Sequence, residues 1–176
     1  MKNNLLSHRD ITLRALEPED LEHLFRWEND TATWRVSNTL TPISRFVLRQ
    51  YLEQAHRDIY EAKQLRLIIQ HNETERPLGA IDLFDFDPYH KRAGIGILIA
   101  HEADRGKGYA RQALQTVTGY AFHTLGLHQL YASMDADNTA SLELFRKEGF
   151  EITGTRREWI WTGEGYGDEY FLQKIR

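Results

Sequence analysis

The sequence predicts an α/β (α+β) fold in which one sheet carries helices on both faces. Three observations lead there. Segments that alternate with period 2 are interleaved with segments of period 3.6. Residues 93–100 are apolar on both faces of the strand, as a central strand covered on both sides requires. No repeat, low-complexity tract or linker divides the 176 residues, so one domain spanning 1–176 is expected.

The elements follow in order. Residues 10–16 alternate and read as the first strand. Glu17-Pro18-Glu19-Asp20 is a helix start, with proline and acids in the first turn. Leu21, Leu24 and Phe25 then give a first helix, with Glu28 and Trp27 close by. Residues 29–43 read as a loop. Residues 44–60 read as a second helix, capped by Ser44, with Phe46, Leu48, Tyr51, Leu52, Ala55 and Ile59 on its apolar face. Residues 65–70, 78–86 and 93–100 form a meander, turning at 71–77 and 87–90. Alternation puts Asp82, Phe84 and Phe86 on one face of the middle strand and Ile81 and Leu83 on the other. Ala110, Ala113, Leu114, Val117, Ala121 and Leu125 line one face of the longest helix, which Gly126 closes. Residues 130–134 are a strand. Asp137-Asn138-Thr139 starts a helix that ends near Glu148 and Gly149. Residues 150–155, 158–161 and 169–175 are the last strands, with a turn across 162–168.

Composition narrows the function. Apolar residues are 41% and charged residues 27%, ordinary for a globular chain. A net charge of −4 argues against nucleic acid held on a broad basic face. The absence of cysteine excludes disulfides, thiolate metal sites and a cysteine nucleophile. The eight histidines show no His-x-x-x-His spacing, so no metal is expected. No apolar run is long enough for a membrane span, and Met1-Lys2-Asn3-Asn4-Leu5-Leu6 lacks a signal-peptide core. No membrane partner and a cytoplasmic location are expected.

Two motifs carry chemistry. Arg105-Gly106-Lys107-Gly108-Tyr109-Ala110 fits R-x-x-G-x-A at a strand–loop–helix junction. It is neither a Walker loop nor a dinucleotide-binding fingerprint. Glycines running into a helix N-terminus present unpaired amides and a positive dipole end, which suit a pyrophosphate. The second motif, residues 138–150, begins Asn138-Thr139-Ala140-Ser141 and ends Arg146-Lys147-Glu148-Gly149-Phe150. Alone it reads as a capped amphipathic helix.

Together, in this order and spacing, the two motifs resemble the GNAT superfamily of acetyl-CoA-dependent N-acetyltransferases. The likeness extends from Ile11-Thr12-Leu13-Arg14 and Glu19-Asp20-Leu21 to Gly154-Thr155-Arg156. Lys91-Arg92-Ala93, Gly106-Lys107-Gly108, Leu130-Tyr131, Asp135, Asn138 and Arg146-Lys147 are most similar to the bacterial spermidine/spermine (diamine) branch. Ribosomal-protein N-terminal acetyltransferases come next.

The resemblance implies a mixed, mostly antiparallel central sheet and acetyl-CoA as co-substrate. The backbone of Ile97, Leu98 and Ile99 is expected to pair with the pantetheine arm and to polarise the thioester carbonyl. The amides of Gly106, Lys107, Gly108, Tyr109 and Ala110 are expected to hold the pyrophosphate, with charge from Arg105 and Lys107. Asn138, Phe145 and Lys147 are the expected contacts from the later helix. A primary amine attacks directly after losing a proton to a carboxylate, for which Asp82 is the first candidate and Asp85 the second. Phe145 stands where relatives carry a proton-donating tyrosine, and Gly94 where many carry a glutamate. Water, Tyr131, Ser133 or Ser141 takes over as acid, or the sulfur leaves as thiolate. The acceptor pocket is expected between the first two helices and the terminal hairpin, with Trp27, Glu28, Asp30 and Trp34 gripping a cationic tail. The resemblance thus implies acetylation of a small-molecule amine such as spermidine, with homo-oligomers a family trait. Protein N-terminal acetylation and a non-catalytic acetyl-CoA-binding module stay open as alternatives.

Overall fold

The computed structural model describes residues 5–37 and 39–176. Residues 1–4 of the expected polar start, and Asn38 in the expected loop, lie outside them. One sheet of eight strands runs through the chain: β1 Ser7–His8, β2 Ile11–Arg14, β3 Leu65–His71, β4 Pro77–Asp87, β5 Arg92–Ile99, β6 Gln129–Asp135, β7 Glu151–Trp161 and β8 Tyr166–Ile175. Its order is β1-β2-β3-β4-β5-β6-β8-β7. Every neighbouring pair is antiparallel except β5 with β6.

Helices cover both faces, as the sequence predicts. One face is covered by α5 Tyr109–His123 and α6 Thr139–Lys147. Ala113, Leu114, Val117 and Ala121 of α5 pack there with Ile81, Leu83, Ile95 and Leu130 of the sheet. Burial of Leu114 and Val117, each at most 1% exposed, stabilises the fold by roughly 2 kcal/mol apiece. The other face is covered by α1 Leu21–Glu28 and α3 Arg45–Glu53. Leu24, Trp27 and Leu48 meet Ile68 and Ala80 there. Arg14 joins β2 to the start of α1 through two bonds of 2.8 Å to Asp20, whose carboxylate also accepts the Glu17 N–H at 2.9 Å. Among the described residues no helix is long and apolar enough to cross a membrane.

Four expectations change. The loop across 29–43 contains a helix, α2 Thr31–Ser37, started by Asp30, which accepts the Ala32 N–H at 3.0 Å. The helix across 44–60 is broken. Ser44 caps it through the Val47 N–H at 3.2 Å, but α3 stops at Glu53, and Asp58 captures the amides of Tyr60 and Glu61 to start α4 Ile59–Ala62. In β4 a bulge at Asp85 (φ 48°) breaks the alternation, so Phe86 packs with Leu83 and not with Asp82 and Phe84. The two strands expected over 150–155 and 158–161 are one, β7 Glu151–Trp161, broken only by register shifts, one beside Glu158 (φ 51°), and Tyr166, Gly167 and Asp168 belong to β8.

Candidate active site

The site begins where the two central strands part. β5 pairs with β4 along its whole length, but with β6 only through Arg92↔Gln129, Ala93↔Leu130 and Gly94↔Tyr131. Beyond Tyr131, β6 continues against β8 alone. A wedge therefore opens between β5 and β6 from Gly94 onward.

The register settles which backbone groups face it. The Ala100 N–H donates to Leu78 O at 2.9 Å. Hydrogen-bonded pairs alternate in an antiparallel ladder, so Leu98 and Gly96 also direct their groups to β4. Ile95, Ile97 and Ile99 face the wedge. Of the three residues expected to pair with a cofactor arm, Ile97 and Ile99 are placed to do so. Leu98 packs its side chain against the other core.

The wedge leads to the glycine loop. After β5 a short 3-10 turn, Glu102–Asp104, redirects the chain. Gly106 (φ 73°) and Gly108 (φ 84°) then take left-handed conformations. A Cβ on either would meet nothing within 4 Å. The local demand for glycine is thus backbone conformation plus clear space outside the loop. Gly108 is the N-cap of α5 and supplies no side-chain acceptor, so the first amides of α5 keep no side-chain cap, the arrangement that takes anions. Arg105 Nε donates to Ile99 O at 3.3 Å. Lys107 and Arg105 are both exposed. Tyr109 packs its ring edge-on against His71.

On α6, Asn138 accepts the Ser141 N–H at 3.3 Å as N-cap. Phe145 is 3% exposed and edge-to-face with Phe150 at 4.9 Å. A ring without a hydroxyl belongs in the core, and little of its surface is left for a cofactor. Lys147 lies on the outer surface beside Glu143 at 3.4 Å.

The sheet face under α1 and α3 holds the polar groups. Arg66 of β3 lies directly across from Asp82 of β4. It donates to both Asp82 oxygens at 2.7 and 3.1 Å, and to Glu28 at 2.7 Å. Asp82 and Glu28, expected in separate roles, are thus joined by one guanidinium. Burial acts to lower the Arg66 pKa, and the carboxylate of Asp82 more than offsets it, leaving Arg66 above the usual arginine value. The cluster keeps one net negative charge. Next to it the Phe84 ring covers Gly94, where a Cβ would fall 2.3 Å from Phe84 Cε2. The carboxylate expected at that position in relatives is replaced by an aromatic floor. It continues through Tyr131, edge-on to Phe84 at 6.1 Å and stacked on Phe171 at 5.4 Å. Tyr131 donates to Asp85 at 3.3 Å. Burial, and then Asp85, push the Tyr131 hydroxyl above its ordinary pKa, so it stays protonated. Ser133 is exposed on β6 where the wedge is open.

The other expected acceptor residues take structural places. Trp27 is 6% exposed and packs in the core beneath α1. Asp30 starts α2. Trp34 is half-buried and donates to Glu28 O at 2.9 Å, tying α2 to the end of α1. A cleft of about 300 Å³ does lie beside the terminal hairpin, but it is lined by Arg35 of α2, by Asp135 and Asp137, and by Ile160, Tyr166 and Asp168 of the hairpin, and by no residue of α1 or α3, between which and the hairpin the pocket is expected. Arg35 spans it to Asp135 at 3.1 Å and Asp137 at 2.8 Å. Three aspartates against one arginine leave the cleft negative. A larger recess beside Arg146 and Phe150 lies at the α6–β7 turn.

Comparison with known proteins follows the same lines. The family model described as an acetyltransferase (GNAT) domain matches residues 10–151. A spermidine N(1)-acetyltransferase of Escherichia coli (strain K12) is 29% identical over 148 residues, covering 84% of this chain and 76% of that protein. The crystal structure of spermidine N-acetyltransferase from Vibrio cholerae, in complex with CoA and spermine, superposes with a TM-score of 0.85 at 23% identity, covering 96% of both chains. A dodecameric structure of the V. cholerae enzyme in an intermediate state gives a TM-score of 0.79 at 24% identity, covering 96% of this chain and 95% of that one.

Proposed function

The chain belongs to the GNAT acetyltransferase family, and we propose that it acetylates a primary amine of a polyamine such as spermidine. Acetyl-CoA is the acyl donor. The residues fit it: an open strand edge at Ile97 and Ile99 can take an extended amide-containing arm, and the two left-handed glycines lead into amides without a side-chain cap. When bound, acetyl-CoA supplies a thioester carbonyl activated toward nitrogen nucleophiles. The single observation that carries the reading is the parting of β5 from β6 beyond Gly94↔Tyr131.

The chain's own residues divide the work. Amides of Gly106 to Ala110, with Arg105 and Lys107, hold the pyrophosphate. Ile97 and Ile99 hold the arm, and an amide there steadies charge developing on the carbonyl oxygen. Asn138 adds a carboxamide at the start of α6, and Lys147 reaches the outer end of the cofactor. The acceptor approaches over Phe84 and Tyr131, whose ring faces suit an alkylammonium chain. Its amine must be neutral to attack, against a reference pKa of about 10.4. Asp82 lies across from Gly96, which has no side chain, so only β5, one strand spacing of about 4.8 Å away, stands between it and the wedge. Asp82 receives the amine proton through water. Phe145 cannot return one to the sulfur, which leaves as thiolate, tolerable for a group whose thiol pKa is about 8.5; the exposed Ser133 hydroxyl on the open part of β6 can hydrogen-bond that anion. Asp85 serves Tyr131. Glu28, through Arg66, and the Arg35 cleft give the acceptor side its negative charge.

The relatives named for spermidine support the acceptor class. The sequence expectation of a cytoplasmic protein, and the dodecameric neighbour, support a cytoplasmic homo-oligomer. Light scattering giving a monomer mass would refute the oligomer. The function itself is tested by thiol release from acetyl-CoA across spermidine, spermine and peptide amines. Turnover with spermidine is expected. Turnover with peptides alone, or CoA binding without turnover on any amine, would overturn the proposal.

A further inference from the structure

A buried negative charge sits immediately before the pyrophosphate loop. Asp104 ends the 3-10 turn, and its side chain is 5% exposed. Arg76, from the turn between β3 and β4, clasps the carboxylate through two bonds of 2.8 Å. Lys107, inside the loop, lies 3.9 Å from the same Oδ1 that Arg76 holds.

Without Arg76 this carboxylate would oppose the loop's task twice. It would repel the pyrophosphate, and it would draw Lys107 inward. Protonation would offer no relief at neutral pH, because an ordinary aspartate titrates near about 3.9; with Arg76 in place the bond holds Asp104 lower still. A fork of two parallel bonds is the arrangement that neutralises a carboxylate while fixing its orientation.

We propose that Arg76 is a positioning residue of the acetyl-CoA site: by clasping Asp104 it cancels the charge beside the loop and weakens the carboxylate's pull on Lys107, whose Nζ stays 3.9 Å from it. The inference rests on the loop being the pyrophosphate cradle. It concerns the donor side only and does not depend on which amine is acetylated.

The test is a double-mutant cycle read by calorimetric titration with CoA itself, so no turnover is needed. An uncompensated charge near the surface changes affinity for a nearby anion on the order of tenfold. Arg76→Met is therefore expected to weaken CoA about tenfold, less at high salt. Asp104→Asn should bind CoA at least as tightly as the unmodified chain. Arg76→Met with Asp104→Asn should recover to within about threefold, and Arg76→Lys should retain most of the affinity, because the charge is kept. A merely structural clasp gives the opposite order, since the double variant lacks the pair altogether and would bind as poorly as Arg76→Met. That result, or an Arg76→Met variant binding as tightly as the unmodified chain, overturns the inference. If Arg76→Met does not fold, as judged by circular dichroism, the double variant against Asp104→Asn decides. Equal affinity of those two supports the inference, and a tenfold gap between them overturns it. An unmodified chain that fails to bind CoA overturns the cradle reading and this inference with it.

Discussion

On the proposed donor side of the wedge, from Ile97 to Ala110, the features offered to a cofactor are mostly main chain: a strand edge, two left-handed glycines and the first amides of α5. On the acceptor side they are side chains. Glu28 comes from α1, Arg66 from β3, Asp82 from β4 and Tyr131 from β6, and the cleft adds Arg35 from α2, Asp135 from β6 again and Asp168 from β8. A backbone site is encoded by a few contiguous residues and tolerates change around it. A side-chain site is assembled by pairings between distant elements and can be retuned one substitution at a time. The donor half is therefore suited to a constant ligand, and the acceptor half to a ligand that varies between relatives.

The largest expected effect breaks the donor side. Gly108→Val forces a β-branched residue into a left-handed conformation, costing about 1–2 kcal/mol, and it adds methyl groups to the loop proposed to hold the pyrophosphate. CoA affinity should fall more than tenfold by calorimetry, with the melting temperature only modestly lowered and the spermidine KM little changed. On the acceptor side Arg66→Met leaves two carboxylates facing each other without their cation. For this partly exposed cluster the loss should be about 2–3 kcal/mol, at the low end for buried pairs. The cluster passes from one net negative charge to two, so the expected kinetic result is a lowered spermidine KM with unchanged CoA affinity. Gly94→Ala sharpens the contrast. Its Cβ would fall 2.3 Å from Phe84, and displacing the ring should cost about 1–3 kcal/mol. Phe84→Ala in the same chain should relieve most of that strain.

The smallest expected effect concerns acid. Arg76 holds Asp104 low. For Asp20, burial acts upward, but the bonds from Arg14 and the Glu17 amide outweigh it, and its pKa too is lowered. A lowered folded pKa means the unfolded chain takes up protons first. The stability from both groups is full above about pH 4, the unfolded carboxylate value, and is lost as the pH falls through their folded values. Melting temperatures should decline below about pH 4, and Asp20→Asn should flatten that decline while lowering stability at neutral pH.

Much of this was legible in the sequence, and the comparison explains which part. The glycine loop, the capped helix after it and the apolar strand before it are local patterns, and the structure has them where the residues predict. The exchange at Gly94 was visible too, but not the Phe84 ring that fills the space. Arg66 was missed although a signal existed. The turn at 71–77 centres on residue 74, and folding the two strands about that centre places 66 opposite 82. Arg76 with Asp104, and Arg35 with Asp135 and Asp137, gave no such signal, because nothing local relates them. The bulge at Asp85 turned Phe86 to the other face, and no alternation rule anticipates a one-residue insertion of that kind. Trp27 and Asp30 are expected at the substrate from residue type and from their place at the end of the first helix. Packing uses the first as core and the second as a helix cap.

The division between the two halves is tested most directly by steady-state kinetics in which acetyl-CoA and spermidine are varied independently for the unmodified chain, Gly108→Val and Arg66→Met. The expected result is spermidine-dependent thiol release, with Gly108→Val raising the KM for acetyl-CoA alone and Arg66→Met changing, by lowering it, the KM for spermidine alone. Either variant changing both constants equally would contradict the division, and an unmodified chain releasing no thiol with spermidine would contradict the function assigned to it.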